Sequence, residues 1–283
     1  MFREILISAG VAGLLAALIL TLLQAVLITP LILQAEVYED APATAHETVA
    51  QEAVVQEAGV QEAGMQEAAT ESTEHAHQHT DGHTHQHVES THASAIAVTA
   101  ESQHEHHHDA DEWKPQDGLQ RTLFTLASNI VMAFGYALLL TGVYIAWRRP
   151  SGAMQGLLFG LAGFTVFFAA PALGLLPELP GTAAAELATR QQWWVSTAIA
   201  TAVGLALLFM QKNIVLRIIG LLVLVAPHIV GAPHPAVESS LAPTELQNHF
   251  RLATTLVNAV FWLLLGVISA LALKKFSTSQ HAR

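Results

Sequence analysis

Six apolar blocks constrain this chain more than any other feature: Ile5–Leu33, Leu119–Trp147, Met154–Leu176, Trp193–Met210, Ile214–Val230 and Leu252–Leu273. Each approaches or exceeds the roughly 17–25 residues with which an α-helix crosses a bilayer. Hydrocarbon offers no partner to backbone N–H and C=O groups, so a spanning segment must satisfy them internally, and a helix does so. Charged residues make up 12% of the 283 residues, well under the roughly 25% of soluble domains. The expected fold is therefore an all-α polytopic membrane protein of about six transmembrane helices, interrupted by one long extracytoplasmic loop.

Two details of topology need argument. Only Gln211, Lys212 and Asn213 separate the fourth and fifth blocks. A continuous helix from Trp193 to Val230 would far exceed the roughly 30 Å apolar layer, so a tight hairpin is expected, with five spans and one long tilted helix as the alternative. The first block follows Arg3, as a signal peptide would, but it is much longer than a typical signal core of about 7–15 residues, and Leu33-Gln34-Ala35 is a poor cleavage site. A retained helix is expected.

Lysine and arginine set the orientation. Arg3, Arg148, Arg149, Lys212, Arg217, Lys274, Lys275 and Arg283 fall on one side, against Lys114, Arg121, Arg190 and Arg251 on the other. The positive-inside rule then puts both termini in the cytoplasm. The expected division is a first transmembrane helix at 1–33, an extracytoplasmic loop at 34–118, a five-helix domain at 119–273 and a cytoplasmic tail at 274–283.

The loop is unlike the rest. Residues 34–118 hold 18 acidic side chains, one basic side chain and 12 histidines, giving a net charge of −17 with neutral imidazoles. Gln-Glu-Ala recurs at Gln51, Gln56, Gln61 and Gln66; a five-residue step turns about 500° on a helix, so the glutamates share no face. This part is expected to be a disordered acidic spacer that draws cations by its field.

Beyond the spacer come His75, His77 and His79, then His83, His85 and His87, then His104, His106, His107 and His108. Neutral imidazole is a common ligand for borderline divalent ions, and a chain without cysteine offers only nitrogen and oxygen donors. The tract is read as a divalent-metal trap of loose geometry. Such loading should weaken as pH falls through about 6.5, where free imidazole protonates.

A second set of candidate ligands lies where blocks end on the same side: Glu36, Glu39, Glu178, His228 and His234. Carboxylates and imidazoles gathered at a mouth could replace the waters of an entering ion. The segment from Pro227 through His228 and Gly231 to Pro233 and Pro235 should break its helix and free carbonyls near the membrane surface. Within the blocks, Gln24, Asn129 and Asn258 should face other helices, Gly156 and Gly160 should pack closely against one, Pro171 should kink its helix, and Trp193 and Trp194 should anchor at the interface.

The chain carries no phosphate-loop, nucleophile-elbow or zinc-protease signature, and no enzymatic role is expected. In its membrane portion it resembles the CbtA family of cobalt transporter subunits. The resemblance rests on Met1-Phe2-Arg3 before a long first block ending in Glu36-Val37-Tyr38-Glu39, on Asp117-Gly118-Leu119-Gln120-Arg121, and on Leu176-Pro177-Glu178-Leu179-Pro180-Gly181. It continues in Arg190-Gln191-Gln192-Trp193-Trp194, in Pro227-His228-Ile229-Val230-Gly231-Ala232-Pro233, and in Asn258-Ala259-Val260-Phe261-Trp262. It implies cobalt uptake linked to cobalamin supply and a small single-span CbtB-like partner; it supplies no ligand residues.

Two functions from different classes follow. One is an inner-membrane Co²⁺ uptake transporter or subunit, with the divalent metal as transported ligand, no permanent cofactor and no nucleic-acid partner. The other is a membrane-anchored sensor that binds divalent metal and moves nothing, or a transporter of nickel or zinc. Six spans favour transport, since one would anchor a sensor.

Overall fold

The computed structural model describes residues 2–39, 115–146 and 152–281, and all of these regular elements are helical. The His-rich tract, the Gln-Glu-Ala repeat, Arg148 and Arg149 lie outside the described residues. Helix α1 runs through Phe2–Leu23, a π-helical turn at Gln24–Ile28 and residues 29–39. Helix α2 is Leu119–Ala146. Helix α3 comprises Ala153–Phe164, a second π turn at Thr165–Ala169, and Ala170–Ala172. Helices α4, α5 and α6 are Leu187–Met210, Ile214–Val230 and Thr244–His281.

Each apolar block is helical, as expected, but the ends differ. α1 continues past Leu33 to Glu39, and α6 begins at Thr244 and continues past Leu273. No proline or glycine interrupts 31–39 or 244–265, so polar residues beyond the apolar blocks extend the same backbone pattern. Among the described residues, five helices are long and apolar enough to cross a membrane, making this a multi-pass membrane protein. The sixth, α5, has 17 residues, or about 25 Å at 1.5 Å per residue. Apolar side chains such as Val131, Phe209 and Leu222 point outward, which suits a lipid solvent.

α4 and α5 form the expected hairpin. Asn213 caps α5 by accepting the Val215 N–H at 2.9 Å, and Arg217 donates from Nε to the Gln211 carbonyl at 2.7 Å. With backbone groups at the break satisfied in this way, a continuous helix has no advantage. Gly204 and Gly220 bring the two helices together: a Cβ on either would lie within 3 Å of the other glycine's carbonyl oxygen.

The remaining helices form a core in which α1 packs on α2 and α6, and α3 packs on α6. Small residues make this possible. Ala9, Ala12, Ala16 and Ala17 bury one face of α1, and Gly13 lies against the backbone of Ala133 and Phe134. Gly156, Gly160 and Gly163 of α3 meet Gly266 and Trp262 of α6, confirming the close packing read from the glycine spacing. Trp262 then stacks on Phe167 at 5.3 Å and meets Tyr136 at 4.7 Å.

Polar residues within the core behave as expected in one place and differently in another. Asn129 donates from Nδ2 to Thr21 Oγ1 at 2.9 Å and to Gln24 Oε1 at 2.6 Å, joining α2 to the first π turn. Asn258 instead donates to the Thr254 carbonyl of its own helix, at 3.0 Å. Pro171 has no N–H for the preceding turn; the structure accommodates this with the π turn at Thr165–Ala169 and ends the helix at Ala172.

Candidate functional site

Antiparallel packing gathers the candidate residues at one end of the bundle, where α1 and α3 finish, α2 and α4 start, α5 finishes and α6 starts. Two loops are fastened together there: Thr182 forms an antiparallel bridge with Ser240, and the Leu241 N–H donates to the Gly181 carbonyl at 3.1 Å. Glu36, Glu39, Glu178, His228 and His234 all lie at this end, as the order of blocks required. They do not converge on a common centre, and no group of three or more histidine, aspartate or glutamate side chains suited to a metal ion occurs among the described residues.

Two of the carboxylates are engaged by arginine. Arg121 donates from Nη2 to Glu36 Oε1 and from Nη1 to Glu36 Oε2 at 3.2 Å, and also to Asp117 Oδ1 at 2.8 Å. Arg190 donates from Nη2 to Glu178 Oε2 at 2.9 Å. A planar guanidinium matches two carboxylate oxygens at once, so the first pair locks the end of α1 to the start of α2. An ion seeking Glu36 or Glu178 would have to displace a positive charge. Neither pairing was read from the sequence, where Arg121 and Arg190 served only to set orientation; both are separated in the chain from their partners, and Glu36 lies 85 residues from Arg121.

Glu39 is exposed. His234 is exposed as well, with Nδ1 4.0 Å from Glu238 Oε1. His228 differs from both. It occupies the last turn of α5, where Gly231, at φ +86°, stops the helix and donates to the Pro227 carbonyl at 3.0 Å. Its ring meets Trp193 edge-on, with centroids 6.0 Å apart, and its Nε2 is buried without a hydrogen-bond partner. Proline and glycine thus end α5 as expected, while the helix itself holds His228 against α4.

Trp193 and Trp194, expected as interfacial anchors, face protein instead. Trp193 fills the space above Gly174, where a Cβ would strike its ring, and Trp194 reaches Phe167 at 6.3 Å. Between α4 and α5 lies a cavity of about 660 Å³ lined by Gln192, Trp193, Ser196, Val223, Pro227 and Gly231, among others. It combines an apolar wall with an amide and hydroxyls; His228 follows Pro227 of that lining but does not itself line it.

A family model described as "Probable cobalt transporter subunit (CbtA)" matches residues 2–274. The chain belongs to the CbtA family. The match takes in α1 to α5 and α6 as far as Lys274, and the transporter description of this family implies a non-enzymatic role for the chain. The word subunit also implies a partner. No curated protein and no solved structure matches the chain.

Proposed function

We propose that this CbtA-family chain is the membrane subunit of an inner-membrane Co²⁺ importer. The acidic and His-rich segment at 34–118, on the outer side, concentrates the ion; Glu39 and His234 receive it at the loop-bearing end of the bundle; His228 takes it into the membrane. Both termini are cytoplasmic, all six helices cross, and a small single-span CbtB-like subunit completes the assembly. Glu36 and Glu178 serve through their arginine pairs, fixing the ends of α1 and α4 around this mouth.

His228 is the observation that carries the reading. A buried imidazole nitrogen with no partner is costly unless something binds it, and imidazole suits cobalt, nickel and zinc alike. The family description favours cobalt. The membrane potential would draw the ion inward with roughly 2.3 kcal/mol per charge per 100 mV.

The test is accumulation of radioactive cobalt at nanomolar supply, in cells without other cobalt importers and with the small partner present. The intact chain is expected to accumulate cobalt, His228→Ala to abolish uptake, and deletion of His75–His108 to raise the concentration required without lowering the maximal rate. No accumulation above empty cells by a chain that reaches the membrane would refute cobalt import and leave metal sensing as the function to examine.

A further inference from the structure

Eight buried side-chain nitrogen or oxygen atoms among the described residues have no hydrogen-bond partner, and four of them lie along one seam. These are His228 Nε2 on α5, and Trp193 Nε1, Thr197 Oγ1 and Thr201 Oγ1 on α4. Trp193, Thr197 and Thr201 recur every fourth residue and so share one face of α4. Thr197 and Thr201 are both 0% exposed.

The threonines depart from the habit of this protein. Thr21, Thr125, Thr141, Thr165 and Thr255 each turn the hydroxyl back to the carbonyl four residues earlier, at 2.7–2.9 Å. Thr197 and Thr201 do not, and neither does Thr254 on α6. Two prolines stand on the helices that flank α4: Pro171 on α3, whose π turn packs on α4, and Pro227 on α5 each lack an N–H, which leaves a carbonyl in the preceding turn without its helical donor. Four unpaired polar groups along one seam call for partners, which water or an ion can supply.

We propose that the seam between α4, α5 and the end of α3 is a wetted inlet for a partly hydrated divalent cation, leading from His228 to Thr201. Trp193 to Thr201 is eight residues, about 12 Å at 1.5 Å per residue, which carries the path well into the bilayer. His228 ligates the ion directly, while the threonine hydroxyls and freed carbonyls take its hydration waters. The Trp193 N–H, a donor only, binds a water of that shell and not the metal. All four groups are neutral when the imidazole is neutral, so the ion is held loosely enough to move on. This inference rests on the transport reading above and adds the route to it.

The chain contains no cysteine, so single replacements report without background. Thr197→Cys, Thr201→Cys and the outward-facing control Ile199→Cys, 60% exposed on the lipid side, would be placed in nanodiscs and treated with a cationic, membrane-impermeant methanethiosulfonate, with and without cobalt(II) chloride. Both seam cysteines are expected to react at least about tenfold faster than the control, because the thiolate forms only where water reaches it. Cobalt should slow that reaction, and His228→Ala should remove the protection.

Reaction as slow as the control would show a dry seam and overturn the proposal. Fast reaction indifferent to cobalt would show water without a cation route, and overturn it equally. Hydroxyl-radical footprinting of the unsubstituted chain supplies the same answer without replacements: Trp193 should be oxidised, and cobalt should shield it. If cells fail to import cobalt while the seam cysteines are still shielded, the transport reading falls and the binding path stands.

Discussion

Replacing Gly266 with alanine adds one methyl group where the structure has no room for it. The new Cβ would lie 2.3 Å from the Gly156 carbonyl oxygen and 2.7 Å from both Cα and N of Gly160. These are backbone atoms and cannot rotate away, so α3 and α6 must separate by about 1 Å, an overpacking strain of about 1–3 kcal/mol. Separation also weakens the hydrogen bond from the Tyr144 hydroxyl to the Gly266 carbonyl, 2.9 Å long, at about 1 kcal/mol. The expected loss is about 2–4 kcal/mol. The comparison is Gly142→Ala on α2, where nothing lies within 4 Å of the added carbon. There the same change should be neutral or stabilise by about 0.5–1 kcal/mol through helix propensity. Thermal unfolding in detergent, followed by tryptophan fluorescence, should move the two midpoints in opposite directions. Equal midpoints would refute the claim that backbone contact between α3 and α6 supports the fold.

Other outcomes follow from individual contacts. Arg121→Gln should destabilise by about 1–2 kcal/mol by leaving the half-buried Glu36 without its bidentate partner, and exchanging the two residues, Glu36→Arg with Arg121→Glu, should recover part of the loss in the same unfolding assay. Asn129→Leu leaves Gln24 Oε1 and Thr21 Oγ1 without the donor they share; the loss should be about 0.6–2 kcal/mol, seen as faster cross-linking failure between α1 and α2 in detergent. Gly231→Ala must force a side chain into φ +86°, costing about 1–2 kcal/mol and loosening His228, which hydrogen exchange at the end of α5 would register. Raising ionic strength from about 0.01 to 0.15 M should reduce cobalt capture by the intact chain more than by one lacking the acidic residues 47–74, since that segment acts over a Debye length that shrinks from about 30 to 8 Å.

The helices were legible because lipid leaves the backbone few choices and the apolar blocks record that demand over twenty residues at a time. Gly156 and Gly160 were legible for a related reason: small residues at helical spacing matter where backbones meet. Asn129 and Gln24 could be assigned to an interface by the cost of exposing amides to hydrocarbon, though their bond to each other could not. The missing parts are matters of side-chain partnership. Arg121 and Glu36 are joined across a long insertion, and nothing local marks the pair. Trp193 and Trp194 stand at a helix start, where aromatic belts are common, yet Gly174 opens a hollow that draws one of them inward. Thr197 and Thr201 looked like ordinary helical threonines; it is their unpaired hydroxyls on the same face of α4 as Trp193 that mark them.

Helix α6 packs against α1, α2, α3 and both π turns, whereas α5 packs chiefly on α4. The protein therefore has one shared wall and one side chamber, and errors should combine differently in each. Two substitutions in separate seams of α6, such as Gly266→Ala against α3 and Tyr144→Phe on the α2 side, act on the same rigid rod and should give non-additive losses of stability. A change in α5 combined with one in α1 should simply add. Compensating replacements sought by random mutagenesis should accordingly gather on α6 when the original lesion is in the core, and on α4 when it lies near His228.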